Sequence, residues 1–319
     1  MFKLSIQLSF SLFKKNKRNI VKESQKFLPL AIETIQMLAG VRAKSTIDNY
    51  QTALRSFCQY TGADLSVGCI DSHLIEGYQQ WLLDNHVIHN TISCYMRSLR
   101  SLLHQIFPEM KRDPLFDRAF TGRTKTDKRS ISFDEIVRIR ELRLSPDSPL
   151  AFSRDVFLFS FYALGMPFVD IAFLQKSQIH DGYIIYQRHK TGQRIRIKIE
   201  PPMQQIISKY SVEESPYVFP ILTSIDKDRA IHEYETARSL YNRHLKKIGA
   251  MSGVLRNLTS YVARHSWASL AYHSNVDLAV ISKALGHTSP TTTLTYIREI
   301  DDNRIDMANR ELLQRLMDK

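Results

Sequence analysis

The sequence is poor in cysteine, with only Cys58, Cys69 and Cys94 among 319 residues. These three form no Cys-x-x-Cys pair and lie near no His-x-x-His pattern, so the usual spacing of a structural zinc site is missing. A sparse and odd-numbered set also argues against a disulfide framework. The cysteines therefore predict reduced thiols in a cytoplasmic protein.

The sequence also lacks a hydrophobic run long enough to span a membrane. The stretch MFKLSIQLSFSLFKKNKR resembles a signal peptide only superficially, because Ser and Gln interrupt its apolar residues and a basic cluster stands where a cleavage site should be. Its apolar residues alternate strictly, which is typical of a strand. We expect residues 1–23 to form an N-terminal basic arm that opens with a short strand, and we expect no membrane partner.

Acidic residues are in the minority, with 32 Asp and Glu against 44 Lys and Arg, which gives a net charge of +12. Such an excess favours a polyanionic partner, and nucleic acid more than a membrane surface, although a merely soluble basic protein is the alternative. An apolar content of 43% is enough for a sizeable core. The length suits two domains of ordinary size.

Residues 24–110 have the pattern of a small helical module. In STIDNYQTALRSFCQY, apolar residues recur at the spacing of one helix face, and later segments begin with Asp71 and Asn90 in positions suited to helix capping. Basic residues of this module could contact a DNA backbone or form a solvated face: Arg42, Lys44, Arg55, Arg97 and Arg100. Residues 111–129, rich in basic side chains and broken by Pro114 and Gly122, are interpreted as an interdomain linker.

Residues 130–319 predict a second, mostly helical domain with one small antiparallel sheet. SRDVFLFSFYALG indicates a buried helix ending at Gly165, and FVDIAFLQKSQI a further helix. In GYIIYQRHKTGQRIRIKI the period changes, because isoleucines alternate with basic residues on either side of HKTGQ. This pattern predicts a β-hairpin with Lys190 at its tip and one strongly basic face.

The C-terminal part contains three residue types that suit phosphate chemistry. Arg264 lies on a largely apolar helix, where it needs an anion or a structural ion pair. His287 follows the helix end at Gly286 and can point into a cleft, although a lone histidine is more often structural. Ser289 and Pro290 suit the start of another short helix, in which we expect Tyr296 to lie. A lone tyrosine is normally a core residue.

Taken together, these residues fit phosphodiester exchange, which needs a nucleophile, neutralisation of the non-bridging oxygens and a proton donor for the leaving oxygen. The Tyr296 phenol can attack phosphorus, and Arg264 and His287 can bind the non-bridging oxygens. Lys190 on a hairpin tip can protonate the departing 5′-oxygen. This chemistry requires no metal and no cofactor.

The segments HKTGQ and YVARHSWASLAYHSNVDLAVISKALGHTSPTTTLTYI, behind a helical module, resemble the tyrosine recombinase or phage integrase family. The resemblance covers about residues 25–319 and is greatest to integrases and invertases of Bacteroides-type mobile elements. It implies a helical core-binding, SAM-like domain followed by an α+β catalytic domain. It also implies that Tyr296 is the nucleophile, Arg264 the second catalytic arginine, His287 the later histidine and Lys190 the hairpin lysine.

Two positions depart from the family pattern. Tyr261 stands where the family usually has a histidine, and its phenol can still donate a hydrogen bond to a phosphate. The first catalytic arginine is missing, because Leu164 and Pro167 occupy the positions where it is expected. Either another cation, with Arg154 and Arg188 as candidates, takes its place, or strand cleavage is slowed.

The resemblance implies double-stranded DNA as partner, a homotetramer on paired sites and in some systems an accessory DNA-bending protein. We expect duplex DNA to be clamped between the two domains and rejoined through a 3′-phosphotyrosyl intermediate, in integration, excision or inversion of a mobile element. A tail stripe of Ile305, Ala308, Leu312 and Leu316 could pack on its own domain or on a neighbouring protomer. The alternatives are a catalytically weakened DNA-binding regulator and, less favoured, a type IB topoisomerase.

Overall fold

A computed structural model of the chain describes residues 25–108, 114–124, 129–287 and 289–297, with a few further residues between 309 and 317. The predicted strand and arm before residue 24 lie outside the described residues, and so does the predicted apolar stripe of the tail. The chain divides into two compact units, residues 1–126 and 127–319. Among the described residues, no helix has both the length and the apolar character to cross a membrane.

The first unit is helical. Its helices are α1 (Phe27–Ala39), α2 (Lys44–Thr61), α3 (Ser72–Asp84) and α4 (His89–Ile106), with short 3-10 turns at Val67–Cys69 and Pro114–Phe116. The helices share an apolar core in which Phe57 makes edge-to-face contacts with Phe27 and Tyr78, with ring centroids 5.9 and 5.1 Å apart. The three cysteines are unpaired.

Of the two helix caps discussed for this unit, the one predicted at Asp71 is present and the one predicted at Asn90 is not. Asp71 caps α3, because its side chain accepts a hydrogen bond from the backbone N–H of Leu74. The side chain of Asn90 instead bonds to the backbone of Thr124 in both directions, and α4 begins one residue earlier. The segment 114–124 also packs on this unit, with Leu115 and Phe116 in its core, although the sequence predicts a linker there.

The second unit combines helices with one three-stranded sheet. Its helices are α5 (Phe133–Glu141), α6 (Pro149–Tyr162), α7 (Phe168–Ala172), α8 (Pro201–Tyr210), α9 (Lys227–Met251), α10 (Val262–His273), α11 (Leu278–Ala284) and α12 (Pro290–Leu294). The strands β1 (Ile179–His180), β2 (Tyr183–Gln187) and β3 (Arg194–Lys198) pair antiparallel in that order. The predicted fold class, mainly α with a small antiparallel sheet, is confirmed.

The predicted hairpin is present in the structure as β2 and β3. Ile184 lies opposite Ile197 and Tyr186 opposite Ile195, and all four side chains are buried against the core of the unit. The basic residues of β3 alternate onto the exposed face, where the guanidinium carbon of Arg196 lies 3.4 Å from the ring centroid of Tyr183. The hairpin therefore presents one apolar face and one cationic face.

The prediction of a single helix over FVDIAFLQKSQI is wrong, because α7 ends at Ala172. The backbone beyond it bonds to a neighbouring segment instead: Lys176 N–H donates to the carbonyl of Pro216, and the carbonyl of Leu174 accepts from Val218 N–H. A 3-10 turn at Lys176–Gln178 then leads into β1. Tertiary pairing overrides the local helical pattern here.

Candidate active site

Arg264 lies on the first turn of α10 with only 2% of its surface exposed. One terminal nitrogen donates to the carbonyl of Gly165 at 2.9 Å, and the other donates to the carbonyl of Leu285 and lies 3.1 Å from Nε2 of His287. Its Nε–H is buried and has no hydrogen-bond partner among the described residues. Burial and the neighbouring Arg188 both lower the pKa of the guanidinium, which nevertheless stays charged.

The turn after α6 is shaped to receive this arginine. Leu164 and Gly165 both have positive φ, at 57° and 73°. A Cβ atom on Gly165 would lie 2.8 Å from the Cα of Arg264, so only glycine allows this approach. Leu164 packs on the core and Pro167 precedes α7, so neither position where the family arginine is expected supplies a cation.

His287 follows α11 immediately after Gly286, as predicted. A guanidinium can only donate, so Nε2 of His287 accepts the bond from Arg264 and the proton of the neutral ring lies on Nδ1. Nδ1 then donates to Oγ1 of Thr293 over 2.9 Å. Burial, followed by the charges of Arg264, Arg188 and Lys190, lowers the pKa of His287 to about 4. The imidazole is therefore neutral at physiological pH.

The prediction that Tyr296 lies inside α12 is wrong, because Tyr296 lies two residues beyond the end of the helix. Its backbone carbonyl accepts a hydrogen bond from Oγ of Ser269 at 3.0 Å, which ties it to α10. Its half-buried ring lies 5.1 Å from the His287 ring and 4.5 Å from the His265 ring, measured between centroids. The guanidinium carbon of Arg264 is 5.6 Å from the centre of the same ring. Arg264, His287 and Tyr296 thus form one cluster.

The other two predicted site residues lie at its edge. Lys190 is exposed on the loop between β2 and β3, and its charge reaches His287, whose pKa it helps to lower. Tyr261 precedes α10 and is 40% exposed, with its ring 6.5 Å from that of His265. The structure gives no direct contact of either side chain with Arg264 among the described residues.

Arg188, at the end of β2, is buried beside Arg264. Its Nη1 donates to the carbonyls of Leu285 and Gly286, at 2.9 and 3.1 Å, so the two guanidinium groups share the Leu285 carbonyl. Its Nε–H has no hydrogen-bond partner among the described residues, and the carboxylate of Asp170 is 3.9 Å away, which is too long for one. A Cβ on Gly286 would come within 3.1 Å of the Arg188 side chain.

Arg154 has a different environment. Its guanidinium bonds to the carboxylate of Asp155 at 2.8 Å and to the carbonyl of Leu142 at 2.7 Å. These contacts belong to the packing of α6 and leave its charge paired. Of the two cations considered from the sequence, Arg188 lies in the cluster.

Sequence reasoning missed Thr293, Ser269 and His265. Thr293 is one of three consecutive threonines, and nothing in the sequence separates the buried one from its exposed neighbours. Ser269 and His265 lie four residues apart, one turn of α10, which could have indicated a shared helix face. Because the Tyr296 backbone and ring lie against this face, these residues fix where the phenol sits.

The cluster as a whole has the charge and the donors that suit an anion. Arg188, Arg264 and Lys190 bring positive charge to one place, and the buried Nε–H groups of the two arginines are donors without a hydrogen-bond partner among the described residues. Donors of this kind suit a phosphate oxygen. A phenol lies beside them, so the arrangement can join anion binding to nucleophilic attack.

Two family descriptions match the chain: "Phage integrase family" over residues 129–303 and "Phage integrase SAM-like domain" over residues 26–115. The chain is 22% identical over 268 residues to tyrosine recombinase XerD of Listeria monocytogenes serotype 4b, covering 79% of this chain and 87% of the relative. It is 27% identical over 142 residues to tyrosine recombinase XerA of Pyrococcus furiosus, covering 43% and 47%.

Solved structures share the fold. A lambda integrase (75–356) dimer bound to a COC′ core site has a TM-score of 0.65 at 16% identity, covering 87% of this chain and 98% of that one. The Tn1549 transposon integrase in complex with circular intermediate DNA has a TM-score of 0.65 at 12% identity, covering 89% and 99%. Because the first family match alone spans more than half of the sequence, the chain belongs to the phage integrase family of tyrosine recombinases.

Proposed function

We propose that this recombinase cuts and rejoins duplex DNA with Tyr296 as its nucleophile. The observation that carries the proposal is the convergence of a phenol, two buried guanidinium groups and a neutral imidazole on one site, from four separate parts of the chain. In the reaction, Oη of Tyr296 bonds to phosphorus as the bond to the 5′-oxygen breaks. The product is a 3′-phosphotyrosyl ester, which a 5′-hydroxyl reopens during rejoining.

Arg264 and His287 bind the non-bridging oxygens in this proposal. The buried Nε–H of Arg264 has no hydrogen-bond partner in the part of the chain that the structure describes, and its Nη2 can exchange the contact with His287 for one with phosphate. Charge developing on these oxygens is stabilised best by donors that are already in place. The glycine turn at Gly165 supports this role, because it lets the arginine stem lie against the backbone of the loop after α6.

Arg188 takes the role of the missing first arginine. It is buried, it shares the Leu285 carbonyl with Arg264, and its own Nε–H has no hydrogen-bond partner among the described residues. Arg154 is unsuited because its charge is paired with Asp155. The second cation of the site would then come from the sheet and not from the turn after α6.

Lys190 protonates the leaving 5′-oxygen, and water takes up the phenolic proton. An exposed amine on a hairpin tip can enter a DNA groove while its charge remains close to the cluster. Tyr261 donates a hydrogen bond to a phosphate oxygen after its exposed ring turns toward the DNA. The cationic face of β3 adds sequence-independent affinity for the backbone.

We further propose that residues 24–110 form the core-binding domain and residues 130–319 the catalytic domain of a protein that acts as a homotetramer on paired sites. One solved relative is described as a lambda integrase tetramer bound to a Holliday junction, which supports this assembly. The stretches FVDIAFL and LTSYVARHSWAS favour an origin among Bacteroides-type mobile elements, with cytoplasmic action. The strand exchange would serve integration, excision or inversion of such an element, in some systems with an accessory bending protein.

A nicked suicide DNA substrate tests the proposal, because its cleavage traps the covalent protein–DNA adduct. We expect an adduct with the wild-type protein and none with Tyr296→Phe. Arg188→Lys should slow adduct formation by about a hundredfold, the usual effect of losing one charge-stabilising donor. Arg154→Lys is the matched control and should retain the wild-type rate within about threefold, because its charge is already paired within α6.

Three outcomes have different meanings. DNA binding without an adduct from the wild-type protein contradicts the enzyme and identifies a DNA-binding regulator. An adduct that persists in Tyr296→Phe assigns the nucleophile to another residue. Equal rates for Arg188→Lys and Arg154→Lys refute the assignment of Arg188 alone.

A further inference from the structure

Thr293 is a buried hydroxyl within the site that the mechanism above does not use. It lies on α12 with none of its surface exposed, and its Oγ1 is 2.9 Å from Nδ1 of His287. The neighbouring Thr292 is exposed on the same helix. A polar group buried this deeply usually has a specific hydrogen-bonding role, and here its partner is the imidazole.

The two ring nitrogens of His287 have different partners in the free protein. Nε2 faces a guanidinium, which can only donate, so Nε2 must accept. Nδ1 must then carry the proton and donate to Thr293. In this tautomer His287 has no proton to offer on the side that faces the anion site.

Binding of a phosphate reverses which ring nitrogen of His287 has to accept a hydrogen bond. Once the oxygens of the phosphate take the place of His287 as partners of Arg264, Nε2 faces an acceptor and has to donate. The neutral ring then carries its proton on Nε2, and Nδ1 needs a donor. A threonine hydroxyl can rotate and serve as either donor or acceptor, whereas a backbone carbonyl or a carboxylate could serve only one of the two states.

We propose that Thr293 is a positioning residue that supports both tautomers of His287, accepting from Nδ1 in the free site and donating to Nδ1 when a DNA phosphate is bound. The inference rests on the proposed function and adds to it a residue that acts only through His287. The exchange moves one proton between the ring nitrogens, by way of water, and requires no change in the charge of the site.

The position of Thr293 also couples this exchange to the nucleophile. Thr293 and Tyr296 belong to the same short segment, and side-chain hydrogen bonds help to attach it to the rest of the site, from Ser269 to the Tyr296 carbonyl and between His287 and Thr293. His287 therefore has its Nδ1 partner only while α12 is docked. The histidine becomes competent to donate to a phosphate when the tyrosine segment is in place.

The test compares Thr293→Val, which has the same shape without a hydroxyl, with Thr293→Ser, which keeps the hydroxyl. Thr292→Val is the matched control on the exposed side of α12. On the suicide substrate we expect Thr293→Val to form the adduct about ten- to a hundredfold more slowly, by analogy with the loss of hydrogen-bond partners that orient metal-binding histidines. Thr293→Ser and Thr292→Val should stay within about threefold of wild type, and DNA affinity should be unchanged in all three.

Nitrogen-15 spectra of labelled histidine rings give a direct readout, with the His287 signals assigned by comparison with His287→Asn. The free wild-type protein should show the tautomer protonated on Nδ1, and the DNA complex of Tyr296→Phe should show the one protonated on Nε2. Free Thr293→Val should keep Nδ1–H, because Arg264 still requires Nε2 to accept, whereas its DNA complex should lose the pure Nε2–H signature, because valine cannot donate to Nδ1. A merely structural role of Thr293 would leave the tautomers unchanged.

Several results overturn the inference. They are equal rates for Thr293→Val and wild type, a Thr293→Ser variant as slow as Thr293→Val, and a DNA complex in which His287 keeps Nδ1–H or is protonated on both nitrogens. If the wild-type protein forms no adduct at all, the proposed function fails, whereas a change in the Nδ1 chemical shift between the free wild-type protein and free Thr293→Val still tests the hydrogen bond to Thr293. The two failures are therefore distinguishable.

Discussion

Asp155 and Asp170 are both buried in the second unit, yet their surroundings are opposite. Each oxygen of Asp155 has partners: Arg154 on Oδ1, and Lys209 and Tyr210 on Oδ2, all within 2.8 Å. Asp170 accepts one backbone hydrogen bond from His189 through Oδ1, while its Oδ2 has no hydrogen-bond partner among the described residues. One carboxylate is fully satisfied and the other is not.

The pKa values follow the same division. Burial by itself raises the pKa of Asp155, but the hydrogen bonds from Lys209, Tyr210 and Arg154 outweigh it and leave the pKa below its usual value. Burial raises the pKa of Asp170, and the His189 N–H and the charge of Arg188 offset only part of this effect. The ionic cluster around Asp155 is therefore stabilised in its charged form, whereas the charged form of Asp170, beside Arg188, is stabilised only in part.

The largest effect we expect concerns the free energy of unfolding. Asp155→Asn should lower it by about 2–3 kcal/mol, because Arg154 and Lys209 lose their counter-charge, and partial exposure of Lys209 keeps the effect below that of a fully buried pair. Asp170→Asn should not lower it, because the amide oxygen can still accept from His189. Urea denaturation of both variants at neutral pH measures the difference, and equal losses would contradict the comparison.

The comparison is sharpened by the pH dependence of the two differences in the free energy of unfolding between wild type and variant. Neither difference should exceed its value at neutral pH. Because the folded pKa of Asp155 is lowered, its stabilisation is present above the unfolded value near pH 4 and is lost as pH falls through the folded pKa. The gap between wild type and Asp155→Asn should therefore shrink on acidification.

The pH dependence of the Asp170 contribution has the opposite sign. Because its folded pKa is raised, its contribution to stability is present below the unfolded value and is lost as pH rises through the folded pKa. The free energy of unfolding of Asp170→Asn should thus equal that of wild type in acid and exceed it toward neutral pH. Denaturation series from pH 3 to pH 7 measure both gaps, and a gap of the same sign for both variants would be inconsistent with this account.

The smallest effect is stabilisation by a simple anion that resembles phosphate. Sulfate at about ten times its dissociation constant should raise the free energy of unfolding by about 1.4 kcal/mol, if it binds the folded state alone. Arg264→Lys should reduce this gain and Asp155→Asn should not, with ionic strength held constant by sodium chloride. Thermal unfolding curves provide the measurement, and an equal gain in both variants would place the anion elsewhere.

Local sequence patterns correctly predicted those elements whose sequence signals are strong and consistent. The alternation of Ile195 and Ile197 with basic residues predicted the hairpin and its basic face, and Gly286 marked the end of α11. The local patterns failed where the backbone or a side chain forms hydrogen bonds with a segment that is distant in sequence. Asn90 bonds to Thr124 instead of capping its helix, and the segment after Ala172 pairs with residues near Pro216.

The site shows the same limit. Arg264, His287 and Tyr296 were predicted from their residue types and order, and the structure brings them together, while their chemical roles stay predictions. Arg188 was only one of two candidates, because the sequence does not show which buried cation lies beside Arg264. Thr293 and Ser269 were missed, since a hydroxyl acquires a role only through the atom it meets in space.

The sequence by itself determined that this protein is mainly helical and basic, with a phenol, an arginine and a histidine near its C-terminal end, because periodicity, charge and residue order are local properties, and its motifs resemble those of tyrosine recombinases. Only the tertiary structure decided which arginine joins Arg264, which tautomer His287 adopts and which buried carboxylate is satisfied. The physical reason is that these outcomes depend on distances of a few ångströms between segments far apart in the chain, and on how much water the packing excludes from them.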